Sequence, residues 1–296
     1  MRIAFFGTPE FAVPSLRALL GEGFDVSVVV TRPDRPRKRS RSKFVAPPIK
    51  DVAKQLDVPL IQPDKPNTPD FIKHLSEYAP DIGIVVAYGH ILKPAVLAIP
   101  RLGLWNVHAS LLPKLRGAAP IQHAIIQGLS DTGVSIMKLD EGMDTGPVLH
   151  KLSTPIAEDE TGGELSARLA ELGALALVEA VALLTLGEPR PTPQNENEAT
   201  YASKIDSTIA RIDWSQDSLN VARRVRALDP VPGCWSEIEG RRVQLFGPTP
   251  SEGTGEPGEV IATEPLITVA TGDGALQFLD VQPSGGRRMP APDWAR

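Results

Sequence analysis

The 296-residue chain carries a single cysteine, Cys234. No internal disulfide can form, and the main reason to place the chain in an oxidising compartment is absent; a reducing cytoplasm is the expected location. A membrane-spanning run is also lacking. The longest apolar stretch, residues 174–186, is interrupted by Glu179 and is too short to cross a bilayer, so no membrane partner is expected. The amino-terminal residues show no cationic region, long apolar segment and small-residue cleavage site in series. Met1 and Arg2 instead lead directly into a short apolar run ending at Gly7, which reads as a buried first strand. Positive charge is in deficit, with 31 Lys and Arg against 36 Asp and Glu, so any affinity for nucleic acid has to come from a local patch. Apolar residues, at 42%, are sufficient for a large core, and the length exceeds the roughly 100–200 residues usual for one domain. Two domains are expected.

Short apolar segments at 2–6, 25–31, 59–62, 81–87 and 103–108 alternate with stretches of helical spacing. Phe11, Leu16, Leu19 and Leu20 fit one helix face, and Ile49, Val52, Ala53 and Leu56 fit another. Continuously apolar strands separated by helices imply a parallel sheet covered on both faces. Residues 1–187 are therefore assigned an α/β, Rossmann-like domain, closed by a long helix over 164–186. The polar, proline-rich string that follows can bury little, and 188–203 is read as a linker. After a helix at 218–228, apolar runs become short and Gly and Pro dense, so 204–296 reads as a small β-barrel or sandwich.

Three segments carry chemistry. In Trp105-Asn-Val-His-Ala-Ser110, strand alternation puts Asn106, His108 and Ser110 on one side. Such a polar row at the C-terminal end of an apolar strand stands where open α/β sheets bind ligands, although a polar strand end satisfied by its neighbours has the same pattern. The next segment, 111–120, contains two prolines and a glycine before a helix over 121–127, which makes it a shaped loop able to wall a pocket. Asp144 lies between Gly142 and Gly146, so a carboxylate is presented from a tight turn.

Phe6-Gly-Thr-Pro-Glu-Phe-Ala12, Asn106-Val-His-Ala-Ser-Leu-Leu-Pro-Lys-Leu-Arg-Gly117 and Asp140-Glu-Gly-Met-Asp-Thr-Gly146 together closely resemble the 10-formyltetrahydrofolate-dependent formyltransferase family, and within it the methionyl-tRNA formyltransferases. The resemblance spans nearly the whole chain, and Val225-Arg-Ala-Leu-Asp-Pro-Val-Pro-Gly233 is similar to the start of that family's second, OB-like barrel domain. It implies that Asn106, His108 and Asp144 are catalytic. It also implies that Ser110, Leu111, Leu112 and Pro113 line the folate site, with Val86, Ala87, Tyr88 and Gly89 against its pterin end. The implied cosubstrate is 10-formyltetrahydrofolate and the implied acceptor is methionyl initiator tRNA, used by a monomer without a metal. The remaining histidines, at 74, 90, 123 and 150, have no ligand spacing.

Between Arg32 and Lys43 lie seven basic residues and one acid, with two prolines. Repulsion disfavours regular structure there, and phosphate neutralisation favours order on binding. The resemblance implies that a loop at this place enters the tRNA acceptor end, making Arg35, Arg37, Lys38, Arg39, Arg41 and Lys43 tRNA-binding candidates. The family pattern has glycines after Arg-Pro, where this chain has Arg37-Lys38-Arg39-Ser40. Residues 204–296 hold ten Lys or Arg against thirteen Asp or Glu, so a tRNA surface there would be a local cluster drawn from Arg223, Arg224, Arg226, Arg241, Arg242, Arg287 and Arg288. An amino-sugar or small-amine formyltransferase, a folate hydrolase and a non-catalytic tRNA-binding protein remain the alternatives.

Overall fold

The computed structural model describes residues 1–37, 40–187, 190–238 and 240–295, and of residues 37 and 40–43 the backbone alone. The chain folds into two compact units, each assembled from three separate stretches. The first comprises Met1–Gly117, Thr132–Thr154 and Ala167–Tyr201; the second comprises Ala118–Asp131, Pro155–Ser166 and Ala202–Arg296.

The first unit is built on strands β1 (Arg2–Gly7), β2 (Asp25–Val30), β5 (Leu60–Ile61), β6 (Ile82–Val86), β7 (Leu104–His108), β9 (Asp131–Lys138) and β10 (Val148–Pro155). Between them fall the short pieces β3 (Arg35–Arg37), β4 (Ser40–Val45) and β8 (Arg116–Gly117). The sheet order is β10-β9-β7-β6-β1-β2-β5. β5, β2, β1, β6 and β7 run parallel, and each is apolar enough to be buried on both faces, as helix-covered strands must be. The expected parallel sheet continues beyond β7 with an antiparallel strand, β9, which pairs with β7 so that His108 lies opposite Ser135. The physical reason is a connection through 109–130 that returns the chain beside β7 from its C-terminal end.

Helices α1 (Val13–Gly21), α2 (Pro48–Gln55), α3 (Pro69–Glu77) and α4 (Pro94–Leu97) fall between the parallel strands. Thr68 caps α3 by accepting from the Phe71 N–H at 3.3 Å, and the helix then buries Phe71 and Leu75 among Ala4, Phe6, Val28, Val85 and Leu104. The long helix α6 (Gly162–Thr185), which follows α5 (Pro120–Ile126), opens with a reciprocal cap. Glu164 N donates to Thr161 Oγ1 at 3.2 Å, while Thr161 N donates to the Glu164 carboxylate at 2.9 Å. Gly173 on this helix faces β7, where an added Cβ would stand 2.9 Å from Val107.

The basic segment departs from the expected irregular loop. β3 and β4 form an antiparallel ribbon with Arg35 opposite Val45 and Pro36 opposite Phe44. Its base is anchored by Asp34, which accepts from Lys50 at 2.7 Å and Gln62 at 3.0 Å. These bonds, with Lys50 first, hold the Asp34 carboxyl below its usual range. A two-stranded ribbon has only edge strands, so Pro36 costs it little.

In the second unit, β11 (Tyr201–Ala202), of which Ala202 belongs here, precedes α7 (Ser218–Ala227). An antiparallel sheet follows, of β12 (Trp235–Ile238), β13 (Arg241–Ser251), β14 (Val260–Ala262), β15 (Ile267–Ala270), β16 (Ala275–Pro283) and β17 (Met289–Pro290), before the terminal turn α8 (Ala291–Ala295). Its order β12-β13-β16-β15-β14 gives the curled, OB-like half-barrel. Val221, Ala222 and Val225 of α7 pack on Val243, Leu245, Val269, Leu276 and Phe278. Among the described residues, no helix is long and apolar enough to cross a membrane.

Cys234 belongs to this core, fully buried, its thiol donating to Arg224 O at 3.4 Å. Burial pushes the thiol up to about 12. At pH 8 the thiolate fraction is then on the order of 10⁻⁴, and the native protein should not react with a chromogenic disulfide reagent, whereas one equivalent should react after denaturation. Rapid labelling of native protein would contradict this packing.

Candidate functional site

The parallel register sets Gly7 beside Val86 and Val85 beside Asn106, so the C-terminal ends of β1, β6 and β7 emerge together. Beyond β6 the backbone turns left-handed at Ala87 (φ 47°) and Gly89 (φ 79°). Thr8 Oγ1 donates to Tyr88 O at 3.0 Å, tying the loop after β1 to this turn. The four residues Val86–Gly89 do not all behave alike. The Tyr88 ring is core, 5.5 Å edge-on from Phe6, and burial raises its phenol, whereas Ala87 and Gly89 contribute little beyond backbone. Gly89 is approached by the Arg32 guanidinium, 3.2 Å from where a Cβ would stand. His90 is lowered from its ordinary range, first by burial and then by Arg32 and Arg35.

On β7, Asn106 is half-buried and its amide has no hydrogen-bond partner among the described residues. His108 is buried, with Nε2 3.0 Å from Leu115 O. A carbonyl only accepts, so Nε2 carries a proton and the other ring nitrogen is free to face a carboxylate. That carboxylate is Asp144, whose Oδ2 lies 3.7 Å from Nδ1. When Nδ1 is protonated, both ring nitrogens point donors at acceptors.

The shaped loop after β7 holds these groups. Ser110 Oγ donates to Lys114 O at 2.6 Å, Ser135 Oγ donates to Ser110 O at 2.7 Å, and Leu112 N donates to Ser135 Oγ at 3.0 Å. The Lys151 ammonium donates to Leu112 O. Leu115 turns left-handed (φ 57°) and its N–H donates to Thr200 Oγ1 at 2.8 Å, which aims Leu115 O at His108. Gly117 N donates to Asp144 Oδ2 at 2.8 Å. Asp144 is itself left-handed (φ 55°), a conformation Asp tolerates better than most residues. The fold thus brings Asn106, His108 and Asp144 together with Ser110, and sets the 86–89 turn on the neighbouring strand end.

Three participants were not visible in the sequence. Arg116 is completely buried and donates to Gln194 Oε1 and to both carboxylate oxygens of Glu196. Gln194 donates onward to the backbone of the Asp144 turn. Both partners lie in the segment read as a linker, which from Arg190 to Tyr201 belongs to the first unit and pairs through Thr192 with Val148. A Gln-x-Glu pair within a proline-rich polar string resembles solvated chain, and only a buried arginine reveals its use. A cavity of about 410 Å³ lies between this segment and Leu112, Pro113, His150 and Lys151, and is lined by none of Asn106, His108 or Asp144.

Of the basic candidates, Arg35 is exposed; Lys38 and Arg39 lie outside the described residues, as do the side chains of Arg37, Arg41 and Lys43. In the second unit the arginines divide. Arg224 and Arg226 donate to the carbonyls of Ile209 and Glu160, and Arg288 pairs with Asp229 and Asp280. Arg223 approaches Gly128, while Arg241, Arg242 and Arg287 are exposed. Arg242 stacks 4.1 Å from the Trp235 ring centroid, with Arg211, absent from the sequence reading, at 5.7 Å. Among the described residues no three His, Cys, Asp or Glu side chains converge as a metal-binding group.

Two family models match the chain: formyl transferase over residues 1–181 and the formyl transferase C-terminal domain over 204–296. The chain is 45% identical over 290 residues to methionyl-tRNA formyltransferase of Stutzerimonas stutzeri, covering 98% of this chain and 92% of that protein. It is 43% identical over 300 residues to the protein of the same name from Brucella anthropi, covering 100% and 97%. Among solved structures it is similar to HypX from Aquifex aeolicus in complex with tetrahydrofolic acid, at TM-score 0.71 and 23% identity, over 99% of this chain and 46% of that one. An N-formyltransferase from Helicobacter canadensis in complex with folinic acid and dTDP-3-aminofucose aligns at TM-score 0.69 and 17% identity, over 97% and 99%. At these identities the structural likeness speaks for fold.

Gly146 closes the Asp144 turn against β9, where an added Cβ would stand 1.8 Å from Lys138 O. Backbone cannot yield as a flexible side chain can, so Gly146→Ala should destabilise the protein by about 1–3 kcal/mol. Thermal unfolding should show a midpoint lowered by several degrees; an unchanged midpoint would mean that the turn is not packed this way.

Proposed function

The chain belongs to the formyl transferase family, and on that premise we propose that it transfers the formyl group of 10-formyltetrahydrofolate to the α-amino group of methionine on initiator tRNA. The observation that carries this reading is the trio at the strand end: an amide at Asn106 with no partner among the described residues, an imidazole at His108 and a carboxylate 3.7 Å from it at Asp144. Relatives at 43–45% identity over nearly the whole chain support the tRNA acceptor, whereas the sugar-modifying neighbour shares only 17%. The amino-sugar alternative is therefore not favoured.

10-Formyltetrahydrofolate supplies an amide-like carbonyl, and attack by the methionyl amine converts it to a tetrahedral centre with negative charge on oxygen. The new N–C bond forms, the bond to the folate nitrogen breaks, and one proton leaves the attacking amine while the folate nitrogen gains one. Asn106 Nδ2–H supplies a donor for the developing oxyanion, and a protonated His108, whose Nε2–H is already held by Leu115 O, supplies positive charge beside it. Asp144 stabilises the imidazolium electrostatically and accepts the amine proton, directly or through water. Ser110, Leu111, Leu112 and Pro113 form the folate wall after β7, and Val86–Gly89 form the pterin side with backbone groups, Tyr88 serving from beneath as core. A flat heterocycle with polar edges suits such a slot.

The catalytic region is the first unit, which takes in residues 190–201, and the second unit and the basic ribbon each contact tRNA. The exposed Arg211 and Arg242, held against the partly buried Trp235 ring, support a nucleic-acid surface on the second unit, because a guanidinium offers charge and a planar stacking face. Arg35, Arg37, Lys38, Arg39, Arg41 and Lys43 contribute phosphate contacts. The protein acts as a cytoplasmic monomer.

Methionyl initiator tRNA incubated with 10-formyltetrahydrofolate and the protein should yield formylmethionine, detected by mass analysis of the released amino acid. Asn106→Ala, His108→Ala and Asp144→Ala should each lower kcat by about 10²–10³-fold while the protein stays folded. Near-native rates in any two would sink the site assignment.

A further inference from the structure

We infer that Gln194, fixed by the buried Arg116 and its partner Glu196, is a positioning residue for Asp144; the inference rests on the proposed catalytic role of Asp144. Arg116 has no exposed surface, so its charge requires full pairing. Its guanidinium donates to Glu196 Oε1 at 2.7 Å and Oε2 at 2.8 Å in a forked pair, and through Nε (3.1 Å) and Nη2 (2.9 Å) to Gln194 Oε1. Arginine cannot accept, so the Gln194 amide has only one orientation: oxygen toward Arg116 and NH₂ away from it. The NH₂ then donates to Asp144 O at 2.8 Å and Gly146 O at 2.7 Å.

Those two carbonyls bracket the left-handed turn that presents the carboxylate, and Gly117 N holds the carboxylate from the next residue along from Arg116. Arg116 therefore controls Asp144 by two routes: through Gln194 to its backbone and through Gly117 to its side chain. The Gln194 segment is itself tied down by Thr192 against Val148 and by the turn Glu196–Glu198, where Asn195 Oδ1 accepts from Asn197 N at 3.2 Å. Misplacement of a catalytic group by about 1 Å can cost on the order of 10²-fold in rate, which is the sensitivity this clamp would protect.

The test is a double-mutant cycle on full-length protein with methionyl-tRNA and 10-formyltetrahydrofolate. Gln194→Met keeps the length of the side chain and removes its donors. At a temperature where the variant is fully folded we expect kcat to fall about 10–10²-fold with KM for both substrates within twofold, and the thermal midpoint to drop because Arg116 loses an acceptor. Gln194→Met combined with Asp144→Ala should be no slower than Asp144→Ala alone, because a residue acting only through Asp144 has nothing left to position. Gln194→Glu should be slow at neutral pH, where its carboxylate opposes two carbonyls, and should recover as pH falls and protonation restores a donor. Should Gln194→Met fold poorly, Glu196→Gln, at an exposed residue, gives a smaller kcat loss of the same kind. Full kcat in Gln194→Met with Asp144→Ala impaired, or additive losses in the double variant, overturns the inference. Full activity in Asp144→Ala instead overturns the underlying site assignment.

Discussion

A parallel sheet brings the ends of neighbouring strands to one edge, and on this molecule the pairing of Val85 with Asn106 decides which residues share that edge. Beyond the last ladder bond, backbone and side chains must find other partners. The Val86–Gly89 turn does so by adopting positive φ and accepting from Thr8, and the 109–117 loop does so through Ser135, Lys151 and Thr200. Among the described residues, the Asn106 amide is left without a partner beside them. An unpaired donor at this strand end is the arrangement a transient charge requires, since it need not be released from another bond when the charge appears.

The second determinant is electrostatic. A fully buried guanidinium is costly unless every face of it is matched, and Arg116 is matched by a glutamine and a glutamate drawn from nearly eighty residues away in the chain. Meeting that requirement brings a proline-rich segment down onto the first unit and lends rigidity to a turn whose left-handed aspartate would otherwise relax. Rigidity here has a named source: two carbonyls and one carboxylate oxygen, each with a donor whose orientation is dictated by its neighbour.

Sequence patterns revealed the parts that obey a period. Continuous apolar runs predicted the five parallel strands, and alternation across 105–110 separated Asn106 and His108 from Val107, which packs under Gly173 of α6. The antiparallel strand β9 was less legible because Gly133 and the buried Ser135 break its apolar pattern, although Ser135 is needed to bond both Ser110 and Leu112. Likewise, Asp34 read as one acid diluting seven bases, whereas its bonds to Lys50 and Gln62 anchor the ribbon. Pairings such as Arg116 with Gln194 have no local signature at all. Their partners are specified only by the completed fold.

The interleaving of the two units carries a consequence for how such a protein can be made or altered. Reading along the chain, membership changes five times, and the second unit includes α5 and residues 155–166 as well as the C-terminal sheet. Ile121, Ala124 and Ile125 are buried within a body most of whose residues are synthesised later. A nascent chain emerging from the ribosome must therefore hold the apolar face of α5 in reserve until the barrel strands appear, and a recombination event at residues 188–203 would exchange a domain in the gene without exchanging one in space.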